Sequence, residues 1–166
     1  ALFKRHVRGM AYPYGTYNEN IKSALRLCGI AYARTTKKSE AFDMPDDWLE
    51  LSPTCKHTDK RLPELAEDFL KMKCSGAPAM FLLWGHSIEL ENNGLWSIME
   101  SFSSCMGLRD DIWHAALIDI YDYTAAYKSL IFSVDMKHVY NPSCRNVFFN
   151  YADKNYAIHP GESIWL

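Results

Sequence analysis

VRGMAYPYGTYNENIKSALRLCGIAYARTT, residues 7–36, is the stretch on which the fold turns. Residues 7–14 are apolar and run into Tyr12-Pro13-Tyr14-Gly15, the pattern of a strand entering a turn. Asn18 stands where a helix needs an N-cap. Ile21, Leu25 and Leu27 supply an apolar face, and Gly29 follows as the C-terminal cap. Residues 30–35 return to strand composition. Strand, helix and strand in this order predict two parallel strands joined by a crossover, the unit of α/β sheets.

Outward from this unit, residues 36–58 form a long connection with Pro45 and Pro53. A connection of this length inside a domain points to function or disorder. Phe42, Trp48 and Leu51 favour an ordered loop. Residues 60–73 carry Leu62, Leu65, Phe69 and Met72 at helical spacing, so a helix is expected there. The apolar run 77–84 predicts a third strand over 79–84, ending at Gly85-His86-Ser87. Two further helices are expected over 95–105 and 110–130, with Asp110 and Asp111 suited to the positive end of the second. Residues 131–166 change character. Val147, Phe149 and Tyr151 alternate, and Asn141-Pro142, Asp153-Lys154-Asn155 and Pro160-Gly161 are turn signals, which predicts a small β appendage.

Composition excludes several classes. The net charge is −2, and no basic stripe is present, so a nucleic-acid partner is not expected. No apolar run reaches the roughly 20 residues of a membrane span. Cys28, Cys55, Cys74, Cys105 and Cys144 are odd in number and contain no Cys-x-x-Cys pair, so neither a disulfide framework nor a zinc ribbon is expected. They read as buried thiols for the most part and leave the compartment open. No targeting segment is legible, and Ala1 reads as the boundary of a longer chain.

In parallel α/β sheets, sites form at the C-terminal ends of the strands. Three stretches fall there: Tyr12-Pro13-Tyr14-Gly15, Arg34-Thr35-Thr36 and Trp84-Gly85-His86-Ser87. His86 follows a buried strand directly, beside a glycine that allows a sharp turn. An imidazole there can give a proton to a leaving amine. Arg34 can pair with a carboxylate or bind an anionic group. Among the loop acids Asp43, Asp46 and Asp47, one carboxylate, with Asp47 preferred, can orient His86 by accepting its ring N–H. Cys55-Lys56-His57 offers a weak set of soft metal ligands, and His6, His114, His138 and His159 lack partners at ligand spacing.

These residues resemble a known family. Gly9-Met10-Ala11-Tyr12-Pro13-Tyr14-Gly15 is similar to the third motif of polysaccharide deacetylases of the NodB-homology type, carbohydrate esterase family four. Leu83-Trp84-Gly85-His86 resembles the fifth motif, and residues 43–48 lie where the fourth motif's Asp and Trp are expected. With Tyr32-Ala33-Arg34-Thr35-Thr36 and Pro53-Thr54-Cys55-Lys56-His57 between them, the order and spacing look like a bacterial subgroup of the family. The similarity spans roughly residues 7–130.

The resemblance implies a distorted (β/α) barrel with parallel strands over 1–130, present as its C-terminal half, followed by the β appendage at 131–166. It implies a hydrolase that removes N-acetyl groups from an amino-sugar polymer or oligosaccharide with the help of zinc or another divalent metal. His86 takes the role of proton donor, the backbone N–H at Tyr14 helps hold the oxyanion, and Tyr12, Arg34, Trp48 and Trp84 become sugar-binding residues. Two departures matter. The family's metal ligands and base precede the third motif, so this chain is expected to lack its metal ligands and to be inactive by itself. Ala11 stands where the third motif has an arginine. The competing expectation is a non-catalytic carbohydrate-binding or scaffold protein that keeps the half-barrel. Exposed strand edges of half a barrel also allow two chains to associate.

Overall fold

The strand–helix–strand unit is present in the computed structural model, which describes residue 4, residues 6–72 and residues 78–166. β1 (Gly9–Ala11) and β2 (Tyr32–Arg34) pair in parallel, with Met10 opposite Ala33. Between them runs α1 (Glu19–Leu27), whose cap is the one expected: the Asn18 side chain accepts from the Ile21 N–H at 3.0 Å. Gly29 follows the helix at φ +75, a conformation that glycine adopts without strain.

The buried face of α1 is not the expected one. Ile21 is 40% exposed and Leu27 90%, whereas Lys22 is 4% exposed. Lys22 shares a face with Leu25, one turn on. Its ammonium is held by Glu19 at 3.0 Å, Asp47 at 2.8 Å and Glu50. A charge is tolerated at such depth because three carboxylates surround it.

The expected loop 36–58 is ordered by short elements. Trp48–Glu50 is a single 3-10 turn, capped by Asp47. After it, Leu51 N–H donates to Ala33 O at 3.1 Å and Thr35 N–H to Leu51 O at 2.8 Å, so the chain lies beside β2. β3 (Cys55–Lys56) pairs in parallel with β4 (Leu83–Trp84). Thr54 N–H to Leu82 O and His57 N–H to Trp84 O, each 2.9 Å, frame that pair. Residues 51–57 thus connect β2 on one side to β4 on the other, all pointing the same way.

These contacts correct the barrel. The sheets hold two or three strands each, and the pairs beyond β4 are antiparallel. Among the described residues there is no barrel-like parallel arrangement. Strands of two or three residues cannot supply the continuous ladder that barrel closure requires. The third expected strand, 79–84, shrinks to β4, and Ala79 instead makes an isolated antiparallel bridge to Asp43. Ala77, at the start of that apolar run, and Lys73, at the end of the expected helix, lie outside the described residues, as does Cys74.

α2 (Leu62–Lys71) has Pro63 in its first turn and buries Leu62, Leu65 and Ala66. Leu62 and Leu65 form a core with Cys55, against which Phe42, Phe81, Leu83 and Phe102 pack. Met72, assigned to the same face, is 43% exposed because the helix has ended. α3 (Ser87–Asn92) and α4 (Trp96–Met106) follow. The last expected helix begins seven residues late, as α5 (Leu117–Lys128). Asp111 does not cap it, because both its oxygens take hydrogen bonds from the Arg109 guanidinium, at 2.9 and 2.8 Å. No helix among the described residues is long and apolar enough to cross a membrane.

The chain forms two compact units, Ala1–His114 and Ala115–Leu166. The second contains α5 and the antiparallel strands β5 (Ile131–Phe132), β6 (His138–Tyr140), β7 (Val147–Tyr151), β8 (Lys154–Ile158) and β9 (Ser163–Trp165). β5, β6 and β9 make one sheet and β7 with β8 a hairpin. The hairpin turns through Ala152 and Asp153, both at positive φ, as a two-residue hairpin loop demands. Alternation along β7 sends Val147 and Phe149 into a core with Ala126, Val139 and Ile158, while Phe148 faces out.

Candidate functional site

The parallel strand ends of the first unit gather chemistry. β2 ends at Arg34-Thr35, β3 at Lys56-His57, and β4 at Trp84-Gly85-His86. The Arg34 guanidinium lies over the Trp84 ring, 4.3 Å from its centroid, with the Lys56 ammonium at 5.6 Å. Arg34 also donates to Thr35 O at 2.9 Å. Burial pulls its pKa down without discharging it. His86 is exposed, and its ring meets the edge of Trp84 at 6.1 Å between centroids.

Gly85 is required by its neighbour. A Cβ there would lie 1.4 Å from His57 Nδ1. The sharp turn expected of this glycine is therefore a close approach: the His57 ring rests on its backbone. His57 itself is 4% exposed.

Glu89, in the first turn of α3, completes the group. Its Oε1 accepts from Lys56 Nζ at 2.8 Å, and its Oε2 lies 3.3 Å from His57 Nε2. The Glu89 carboxyl is held below the usual carboxylate range. The hydrogen bond from Lys56 is the main cause, and positive charge on Lys56, His86 and His57 adds to it against the opposing effect of burial. His57 Nε2 and Glu89 Oε2 do not align into a hydrogen bond despite their separation. With Thr35 Oγ1 and Trp84 Nε1 they are buried polar atoms that have no hydrogen-bond partner among the described residues. Native chains leave few such atoms, and here three fall on strand ends and one on α3, which follows β4.

The other expected site residues lie elsewhere. Asp47 Oδ1 accepts the Leu49 N–H at 2.8 Å, and Asp47 Oδ2 meets Lys22 at 2.8 Å and Arg26 at 3.3 Å. Burial would raise its pKa, but the bonds from Lys22 and Leu49 outweigh that and leave it low. Asp47 is thus taken up by Lys22, Arg26 and Leu49, and the acid nearest in sequence after His86 is Glu89 at the start of α3. Tyr12 is buried, stacks on Tyr17 at 4.8 Å, and donates from its hydroxyl to Leu49 O at 2.8 Å. It supports the turn that carries half-buried Trp48. Tyr14 is 98% exposed on a turn at φ +57.

Glu89 was legible in principle. His86-Ser87-Ile88-Glu89 has the three-residue spacing of a helix start with an acid in its first turn. His57 carried only the weak metal signal of Cys55-Lys56-His57. Of the cysteines described, Cys55 alone is buried, and burial pushes its thiol up to about 11, which makes it a poor ligand or nucleophile. Cys28, Cys105 and Cys144 are exposed, against the expectation of buried thiols.

Among the described residues no group of three or more His, Cys, Asp or Glu side chains could hold a metal ion. Comparison of the chain with protein-family profiles, with curated proteins and with solved structures found no match.

Proposed function

We propose that the strand-end cluster of the first unit takes part in hydrolysing an N-acetyl group from an amino sugar, with His86 as the proton donor. The observation that carries this reading is the placement of His86: exposed at the end of β4, with its ring against the edge of Trp84, whose face carries Arg34. The likeness of these stretches to deacetylase motifs, in order and spacing, supports it.

In this reading the amide C–N bond breaks as the imidazole of His86 delivers a proton to the departing nitrogen. The oxygen of a water molecule bonds to the acyl carbon, one of its protons restores the one His86 gave and the other passes to the freed amine, so the products are the amino sugar, as its ammonium, and acetate. Arg34 with Trp84 forms the wall against which the sugar lies. No step is routed through a metal, because the described residues offer no ligand set for one.

The test is acetate release from an N-acetylated chito-oligosaccharide by the full-length protein and by His86→Ala. The variant should lose about 10²–10⁴-fold in turnover with its sugar affinity largely kept. Undiminished turnover in His86→Ala would return His86 to a structural role. Sugar binding with no acetate released by the wild type would favour the carbohydrate-binding alternative.

A further inference from the structure

His86 is exposed, and an exposed ring donates a proton efficiently only if its surroundings fix it. We propose that His57 and Glu89 are a positioning pair for His86, a role that rests on His86 being the proton donor proposed above.

The backbone is gripped from two sides. His57 N–H donates to Trp84 O at 2.9 Å, and the His57 ring lies against Gly85 so closely that a Cβ would collide with it at 1.4 Å. These are the two residues that precede His86. From the other side, Glu89 N–H donates to His86 O at 2.9 Å as α3 begins.

The side chains add charge to this clamp. Glu89 on α3 is held by Lys56 and His57 at the end of β3, and the Trp84 ring that meets the His86 ring edge-on carries the Arg34 guanidinium over its face. Glu89 is the carboxylate in this set. Lys56 fixes one of its oxygens at 2.8 Å, and the other stands 3.3 Å from His57 Nε2, buried and without a hydrogen bond. The carboxylate braces the His57 ring, which bears on Gly85 one residue before His86. The pair would leave substrate untouched and act through His86.

The test reads the histidine rings of the chain by NMR, with the His86 signals assigned by their loss in His86→Ala. Glu89→Gln keeps the shape of the side chain and removes its charge. The His86 ring signals should then shift and broaden as the His57–Glu89 contact is lost, and Glu89→Asp should keep them near wild type. In the deacetylation assay, Glu89→Gln should lower kcat by about tenfold with KM little changed. His86 ring signals that stay unchanged in Glu89→Gln would overturn the positioning pair and leave the donor reading standing. Full turnover in His86→Ala would instead overturn the donor reading, and the positioning role with it.

Discussion

Asn141 and His57 are both buried polar side chains that directly follow a β-strand, and the chain treats them oppositely. Asn141, after β6, is fully buried. Its amide donates to Arg145 O at 2.8 Å and Ile158 O at 3.2 Å, and its carbonyl accepts from the N–H and hydroxyl of Ser143. Its backbone N–H and carbonyl are bonded to Glu162 and Gly161. His57, after β3, presents Nε2 to a carboxylate with which it makes no hydrogen bond, next to two further orphaned atoms on Thr35 and Trp84. An unsatisfied buried polar group costs about 1–3 kcal/mol. The second unit's network holds its loops, whereas the first unit's strand ends retain polar atoms that contribute nothing to its stability. The two units thus differ in how they pair buried polar groups: fully at Asn141, incompletely at the strand ends of the first unit.

The comparison can be broken most forcefully at Gly85. Gly85→Ala drives a methyl group into the His57 ring and should destabilise the chain by about 3 kcal/mol in denaturant unfolding. Adding His57→Ala should recover part of that loss, because the clash is with the imidazole. Equal stability of Gly85→Ala and wild type would mean that His57 does not rest on that backbone.

Deleting a satisfied group and deleting an orphan should differ in sign. Asn141→Ala strands the carbonyls of Arg145 and Ile158 and should cost about 2 kcal/mol. Thr35→Val replaces an unpartnered buried hydroxyl by a methyl of the same shape, and should be neutral or stabilising by up to about 1 kcal/mol. A loss from Thr35→Val as large as that from Asn141→Ala would erase the contrast.

Acid sharpens the picture within the first unit. Asp47 and Glu50 both have depressed carboxyl pKa values: at Glu50 the Lys22 hydrogen bond leads, and at Asp47 the Lys22 and Leu49 bonds overcome burial. Groups depressed in the folded state contribute stability that is present above about pH 4 and is lost as pH falls below it. Unfolding free energy should therefore decline from about pH 4 downward. Lys22→Met should be less stable at neutral pH and should show a shallower acid decline. An identical decline in that variant would remove Lys22 from the account.

Local features of the sequence proved readable where one residue decides them. Asn18 capped α1, and residues 7–35 gave a parallel crossover, because capping and strand composition act over a few residues. The barrel was not readable, because periodicity does not count how many strands pair or how far each ladder runs. Burial of Lys22 was hidden because its three carboxylates come from both near and distant positions, Glu19, Asp47 and Glu50. α3 was missed because six residues are too few to show a helical period. At the site, His86, Arg34 and Trp84 were named from strand ends, which the structure brings together. His57 and Glu89 escaped because what couples them is a 3.3 Å approach across 32 residues of chain, from β3 to α3.

The most direct test of the first unit as the ligand-binding region is a thermal unfolding series with an N-acetylated chito-oligosaccharide, comparing wild type, Trp84→Ala and Phe148→Ala. Phe148 is an exposed aromatic residue of the second unit, 61% accessible. At about a hundredfold excess over Kd, ligand should stabilise wild type by about 2.7 kcal/mol. Phe148→Ala should keep that stabilisation, and Trp84→Ala should lose most of it. The opposite pattern, with the shift abolished by Phe148→Ala and intact in Trp84→Ala, would contradict the placement of the site.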